Sequence, residues 1–174
     1  MRFVDTPLPG AYVIELEPSH DERGFFARAF SECEFESRRL VTHYPQCNVS
    51  YSEAAFTLRG LHYAALPHRE EKLVRCTRGV IYDVIVDLRA DSPCRFRWFA
   101  SELSEHNHRM LYVPAGCAHG FLTLAPSTEV FYQMGAHYVP EVQRGVRWND
   151  PRFGISWPHE PLVMSARDRD FPDY

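Results

Sequence analysis

Two histidines stand where acid–base chemistry would want them. His62 closes the run Arg59-Gly60-Leu61-His62, behind the polar approach Gln46-Cys47-Asn48-Val49-Ser50. His119 follows Pro114-Ala115-Gly116-Cys117-Ala118, whose Pro and Gly impose a tight turn that projects the imidazole from the start of a strand. Imidazole is the side chain that titrates near neutrality, so it is the natural general base. The plainer role is an interior histidine that only makes hydrogen bonds, and spacing alone weighs the two equally at position 62. Tyr132, beside Phe131, and Tyr138 read first as core or interface aromatics with wet hydroxyls. Ser165-Ala166-Arg167-Asp168 reads first as a helix N-terminal cap.

The PxGxxH run is similar to the second half of the cupin metal signature. The first half needs two histidines one residue apart and a carboxylate, but Tyr63 and Ala64 follow His62. His68 with Glu70 or Glu71 has the wrong spacing for one strand face. A metal ion normally takes three or more protein ligands. No metal and no cofactor are expected.

These residues need a scaffold, and the composition describes one. At 174 residues, 45% apolar and 14% aromatic, the chain fits a single globular domain rich in strand formers. A net charge of -4 and a pI near 6.1 argue against a nucleic-acid face. Five cysteines (33, 47, 76, 94 and 117) form no CxxC pair, which suits reduced thiols. The first residues lack a signal-peptide core, and no apolar run is long enough to span a bilayer. A cytoplasmic protein, away from membranes, is the expectation.

Strand-like runs cover 10–17, 24–30, 73–76, 80–88, 96–101, 110–113, 120–124 and 128–134. Residues 72–89 read as a hairpin turning at Thr77-Arg78-Gly79. The one helix is expected at 32–40, with Ser31 and Glu34 as a capping box and Phe35 facing inward. Many short strands and little helix point to an all-β sandwich or barrel, preferably a jelly roll.

Eight segments, read in order, resemble the dTDP-4-dehydrorhamnose 3,5-epimerase family. They are DERGFF (21–26), RGLHY (59–63), KLVRC (72–76), DVIVDLRADSP (83–93), VPAGCAHGFLTL (113–124), WNDP (148–151), GISWP (154–158) and SARD (165–168). The resemblance spans Pro9 to Asp168 and implies a double-stranded β-helix, cupin-like barrel over residues 1–174. It also implies a homodimer that exchanges an N-terminal arm of about thirty residues. The implied substrate is a nucleotide-linked 4-keto-6-deoxyhexose. His62 aligns with the catalytic base, Asp168 with its acid partner, Tyr132 with the proton donor on the opposite sugar face, and Lys72 with a cation at the sugar. Arg59 and His119 align with substrate contacts, and Gln46 and Asn48 join them. Arg23 and Phe26 lie in the arm that reaches the neighbouring subunit. Tyr138 matches an aromatic that stacks on the nucleobase.

The residue types suit that reaction. C3 and C5 flank a C4 ketone, so removing either proton gives an enolate that a fixed cation stabilises most in the transition state. Inversion then needs a second proton source facing the base. The chain departs from the family at Arg28, Gln143, Arg167, Ala64 and Glu70, around the set rather than in it. Arg28 replaces an acceptor carboxylate by a donor and so inverts the hydrogen-bond demand on the base. CDP or GDP sugars therefore compete with dTDP sugars as substrates, and inversion at C3 alone or C5 alone competes with inversion at both. A 3,4-ketoisomerase, a metal-dependent oxygenase and an inactive binding module are the other readings. Tyr132 opposite His62 favours epimerisation.

Overall fold

The computed structural model describes residues 1–174. Along the chain run β1 (Arg2–Asp5), β2 (Tyr12–Glu15), β3 (Ser19–Asp21), β4 (Gly24–Phe26), the short helix α1 (Glu32–Glu36), β5 (Gln46–Ser52) and β6 (Thr57–Ala64). Then come β7 (Lys72–Arg78), β8 (Val80–Asp87), β9 (Trp98–Ser104), β10 (Met110–Val113), β11 (Cys117–Thr123) and β12 (Thr128–Met134). The chain finishes with β13 (Gln143–Gly145), β14 (Val163–Met164) and the one-turn helix α2 (Ala166–Arg169).

Two sheets face each other. One is ordered β1-β2-β10-β7-β12-β5, the other β13-β6-β11-β8-β9, with β14 alongside β6 and the β3–β4 hairpin apart. All neighbours are antiparallel except β14 and β6. From β5 onward the chain passes between the sheets at every connection except β8–β9 and β13–β14, which is a jelly roll. Its four short crossings, at 53–56, Gly79, 105–109 and 124–127, lace one end together. Glu105 N–H donates to Gly79 O, Ser127 N–H to Glu53 O, Phe56 N–H to Thr123 O, and Leu124 N–H to Val80 O. The other end carries the connections 65–71, 88–97, 114–116 and 135–142.

The hairpin expected at Thr77-Arg78-Gly79 does not form. β7 pairs with β10 and β12, while β8 pairs with β9 and β11. Gly79 is instead a crossing between sheets. A Cβ there would come within 2.4 Å of Thr128 Oγ1, and φ is +79°, so only glycine makes this step without strain.

The core lies between the sheets. Val74, Cys76 and Val130 from one sheet meet Ile81, Ile85, Leu103, Cys117 and Phe121 from the other. The outer face of the second sheet, with Leu61, Val84, Val86 and Ala118, is covered by Val146 and Phe153. The outer face of the first packs Ile14, Leu73 and Met110 against Phe35 of α1. Each fully buried Leu, Ile or Phe stabilises the fold by about 1.5–3 kcal/mol. The rigidity of the site rests on these three layers.

Phe35 faces inward as expected, but the helix is only five residues long and Ser31 makes no side-chain cap. Glu34 turns instead to the Met1 amine at 3.3 Å and to Arg28 at 3.4 Å. All five cysteines are free, and no helix is long and apolar enough to cross a membrane.

Candidate active site

A cavity of about 530 Å³ opens between the sheets along the β5–β6 seam. His62 on β6 and His119 on β11 are cross-strand partners, so their imidazoles share the inward face. Two glycines make that pairing possible. A Cβ on Gly60 would lie 2.6 Å from Gly120 Cα, and one on Gly120 would lie 2.7 Å from Arg59 O. Any other residue at either position would wedge the strands apart.

His62 Nε2 lies 2.7 Å from Asp168 Oδ1. The second Asp168 oxygen accepts the Gly60 N–H at 3.2 Å. Asp168 is held in turn by its own N–H, which donates to Ser165 Oγ at 3.0 Å. The S-x-x-D cap is therefore real, and it serves the site by aiming the carboxylate. Burial alone would raise the Asp168 pKa, but the His62 hydrogen bond and charge, with the Gly60 N–H, outweigh it and hold the carboxyl below its ordinary value. With Nε2 committed to an ionised carboxylate, Nδ1 is the nitrogen left to take a proton. Phe171 stands edge-on to the ring at 5.7 Å, in space left by Gly145.

The opposite wall is the first sheet. Tyr132 and Lys72, on neighbouring strands β12 and β7, both line the cavity. Burial, with the Glu70 charge, raises the Tyr132 pKa, so the phenol keeps its proton well above neutrality. Lys72 is the chain's only lysine; every other one of its 19 Lys and Arg residues is an arginine. Its Nζ lies 2.9 Å from Glu70 Oε1. Arg59 reaches the same space, its guanidinium donating to Ser52 Oγ at 3.2 Å and Tyr51 O at 2.8 Å. Arg167 also lines the cavity, over the Phe171 ring at 5.7 Å.

The structure thus gathers His62, Asp168, Tyr132, Lys72, His119, Arg59 and Arg167 around one space. Seven further candidates lie outside the lining. Gln46 donates to Asn48 Oδ1 at 3.0 Å and accepts the Tyr138 N–H at 3.0 Å, while Gln143 bonds Glu70. Arg23, Phe26 and Arg28 are exposed on or beside the β3–β4 hairpin, and Phe26 is 80% accessible. Sequence reasoning missed two carboxylates as partners. Asp83, fully buried, holds His119 Nε2 at 2.8 Å, and Glu70 holds Lys72. A lone lysine in an arginine-rich chain, two residues after a glutamate, was the signal for the second. For Asp83 the inward alternation of β8 was the only sign. No three His, Cys, Asp or Glu side chains converge as a metal site would require.

Comparison with known proteins gives the family and the fold. The family model of dTDP-4-dehydrorhamnose 3,5-epimerase matches residues 5–174. A dTDP-4-dehydrorhamnose 3,5-epimerase of Sinorhizobium fredii is 43% identical over 99% of this chain and 89% of its own. The crystal structure of the enzyme of that name from Elizabethkingia anophelis superposes with a TM-score of 0.96 at 36% identity, covering 100% of this chain and 96% of that one. That from Bacillus anthracis, with TDP and PPi bound, gives 0.95 at 40% identity and covers 99% of both. A cupin-like jelly roll with these epimerases as relatives is an enzyme of the isomerase class. Within that class the chain belongs to the dTDP-4-dehydrorhamnose 3,5-epimerase family.

Proposed function

We propose that the protein inverts C3 and C5 of a dTDP-linked 4-keto-6-deoxyhexose, with its own side chains moving the protons, on the way to dTDP-rhamnose. One observation carries this reading. The carboxylate-bound imidazole of His62 and the protonated phenol of Tyr132 stand on opposite sheets of one cavity. His62 Nδ1 takes the proton from carbon, and the C–H electron pair moves into an enolate with charge on the C4 oxygen. Asp168 steadies the imidazolium, and Lys72 stabilises the oxyanion. Tyr132 returns a proton to the other face, and exchange with water resets both groups. Both carbons adjoin the same carbonyl, so one enolate site serves each in turn.

Arg59 and Arg167 supply the positive charge for the diphosphate, and the TDP bound by the Bacillus anthracis relative supports a thymidine nucleotide. The protein works as a cytoplasmic homodimer in which the N-terminal arm of about thirty residues reaches the partner through its β3–β4 hairpin, since β1 and β2 pair within this chain's own first sheet. Exposed Phe26, with Val49 and Tyr51 on the sheet-edge strand β5, supports that assembly, which would deliver Arg23, Phe26 and Arg28 to a cavity mouth. Tyr138, Gln46, Asn48 and Gln143 contribute at the rim.

The test is proton NMR in deuterated water with dTDP-, CDP-, GDP- and UDP-linked 4-keto-6-deoxy sugars. Exchange and inversion at both carbons of the dTDP sugar is the expected result. Preference for a CDP or GDP sugar, or inversion at one carbon alone, would replace the specificity stated here. Absence of exchange with every member would remove the reaction itself.

A further inference from the structure

Lys72 reaches the cavity, but its counter-charge stands behind it. Glu70 is only 6% exposed and takes no part in the cavity wall. Its Oε1 lies 2.9 Å from Lys72 Nζ, and its Oε2 accepts from Gln143 Nε2 at 2.8 Å. Gln143 belongs to β13, which pairs with the His62 strand β6. The three side chains therefore tie the wall that carries Lys72 to the wall that carries His62.

We propose that Glu70, anchored by Gln143, is a positioning residue that aims the Lys72 ammonium into the cavity and keeps it cationic there. The inference rests on the reading of Lys72 as the enolate-stabilising cation. A desolvated ammonium without a counter-charge sheds its proton, and a four-carbon stem without an anchor wanders. One carboxylate answers both needs. An ammonium has three N–H donors, so holding one from behind leaves two for the oxyanion.

The other groups around Lys72 do not substitute for Glu70. From β12 comes Tyr132, and across the cavity stand His62, His119 and Arg59, none of them an anion at neutral pH. Asp168 is engaged by His62 and the Gly60 N–H. Glu71 turns to Arg69 at 3.5 Å, and His68 lies on the Glu70 side. On β10 the one ionisable group, Tyr112, accepts the Val41 N–H on the outer face. The Glu70 carboxyl sits below its ordinary value although burial pushes the other way, because Lys72 and Gln143 bind its ionised form.

The single lysine makes a direct test possible. Protein grown on ε-13C lysine gives one labelled side chain, whose shift can be titrated in the parent and in Glu70→Gln. The midpoint is expected at least about one pH unit lower in the variant. The kcat loss should deepen as pH rises and recover as pH falls, following that midpoint. A variant with lowered Tm but unmoved titration and unmoved alkaline limb would overturn the proposal. Should Glu70→Gln fold poorly, Gln143→Leu keeps the carboxylate but frees its second oxygen. It should move the same two readouts in the same direction by less, and no movement overturns the proposal equally. Lys72→Met separates the two layers. If it retains parental solvent exchange, the Lys72 reading fails and takes this inference with it. If it is inactive while Glu70→Gln changes neither readout, the positioning role alone is lost.

Discussion

Replacing Asp168 by Asn isolates the pairing that the mechanism needs. The carboxylate accepts two hydrogen bonds, one oxygen facing His62 Nε2 at 2.7 Å and the other the Gly60 N–H at 3.2 Å. An amide has one acceptor for two donors. If its oxygen faces His62, the NH2 group confronts the Gly60 N–H. If it faces Gly60, the NH2 group requires an unprotonated Nε2, which moves the ring proton to Nδ1 and removes the base. In the first orientation the buried Gly60 N–H loses its partner, at a cost of about 1–3 kcal/mol, whereas the second keeps both hydrogen bonds and its cost falls on the base. In a chain of this length that stability loss is a Tm drop of about 2–12 °C. Activity should fall much further, by about 100- to 10,000-fold, as expected when a general base is lost. The assay is solvent-deuterium incorporation into the 4-keto sugar, with thermal unfolding of the same sample. An Asn variant that loses stability but exchanges protons at near-parental rate would show the pair to be scaffolding, and His62 would lose its role.

Other expectations follow from the same geometry. Tyr132→Phe should slow net inversion while leaving exchange at the carbon facing His62; equal loss of both, measured by NMR, would contradict the division of labour across the cavity. Gly120→Ala should cost at least about 2 kcal/mol, because its new methyl meets Arg59 O and Gly60 Cα, backbone atoms that cannot step aside; a denaturant titration with an unchanged midpoint would refute the contact. Burial pushes the Cys76 thiol up to about 11 and Cys117 to about 12, so an alkylating reagent at pH 8 should label exposed Cys33 first and reach Cys76 and Cys117 only on unfolding. For Asp168 and Asp87, burial is outweighed by hydrogen bonds from His62 and from Arg89 and Ser92, so both have folded-state values below their unfolded ones. Their stabilisation is complete above about pH 4 and lost as pH falls through the lower folded values, so Tm should be steady near neutrality and decline below about pH 4; a Tm that declines between pH 7 and 5 would assign acid sensitivity elsewhere.

The sequence was most legible where strands follow the ordinary rule of apolar side chains inward. Met110–Val113 and Thr128–Met134 emerge with the same limits from pattern and from structure. β5 was missed as a strand because it inverts the rule. Gln46, Asn48, Ser50 and Ser52 point inward, whereas Cys47, Val49 and Tyr51 face out. A strand bordering a polar cavity at a sheet edge loses the signal that betrays strands elsewhere. β6 was hidden by Arg59, Gly60 and His62, residues kept for the site. The false hairpin at Gly79 has a different cause: two adjacent strand-like runs do not state whether they pair with each other or with distant partners. His62, Asp168, Tyr132 and Lys72 were legible through resemblance, whereas Asp83 and Glu70 act through partners that only the fold brings near.

The laced end of the barrel sets how this molecule can breathe. Four crossings bonded to one another rivet the two sheets beyond Ser52, Arg78, Ser104 and Thr123, far from the half of the barrel where His62, Lys72, His119 and Tyr132 face inward. Loosening is therefore expected first at the opposite end of the strands, where the walls are held by the crossing at 114–116 and by the link from Lys72 through Glu70 to Gln143.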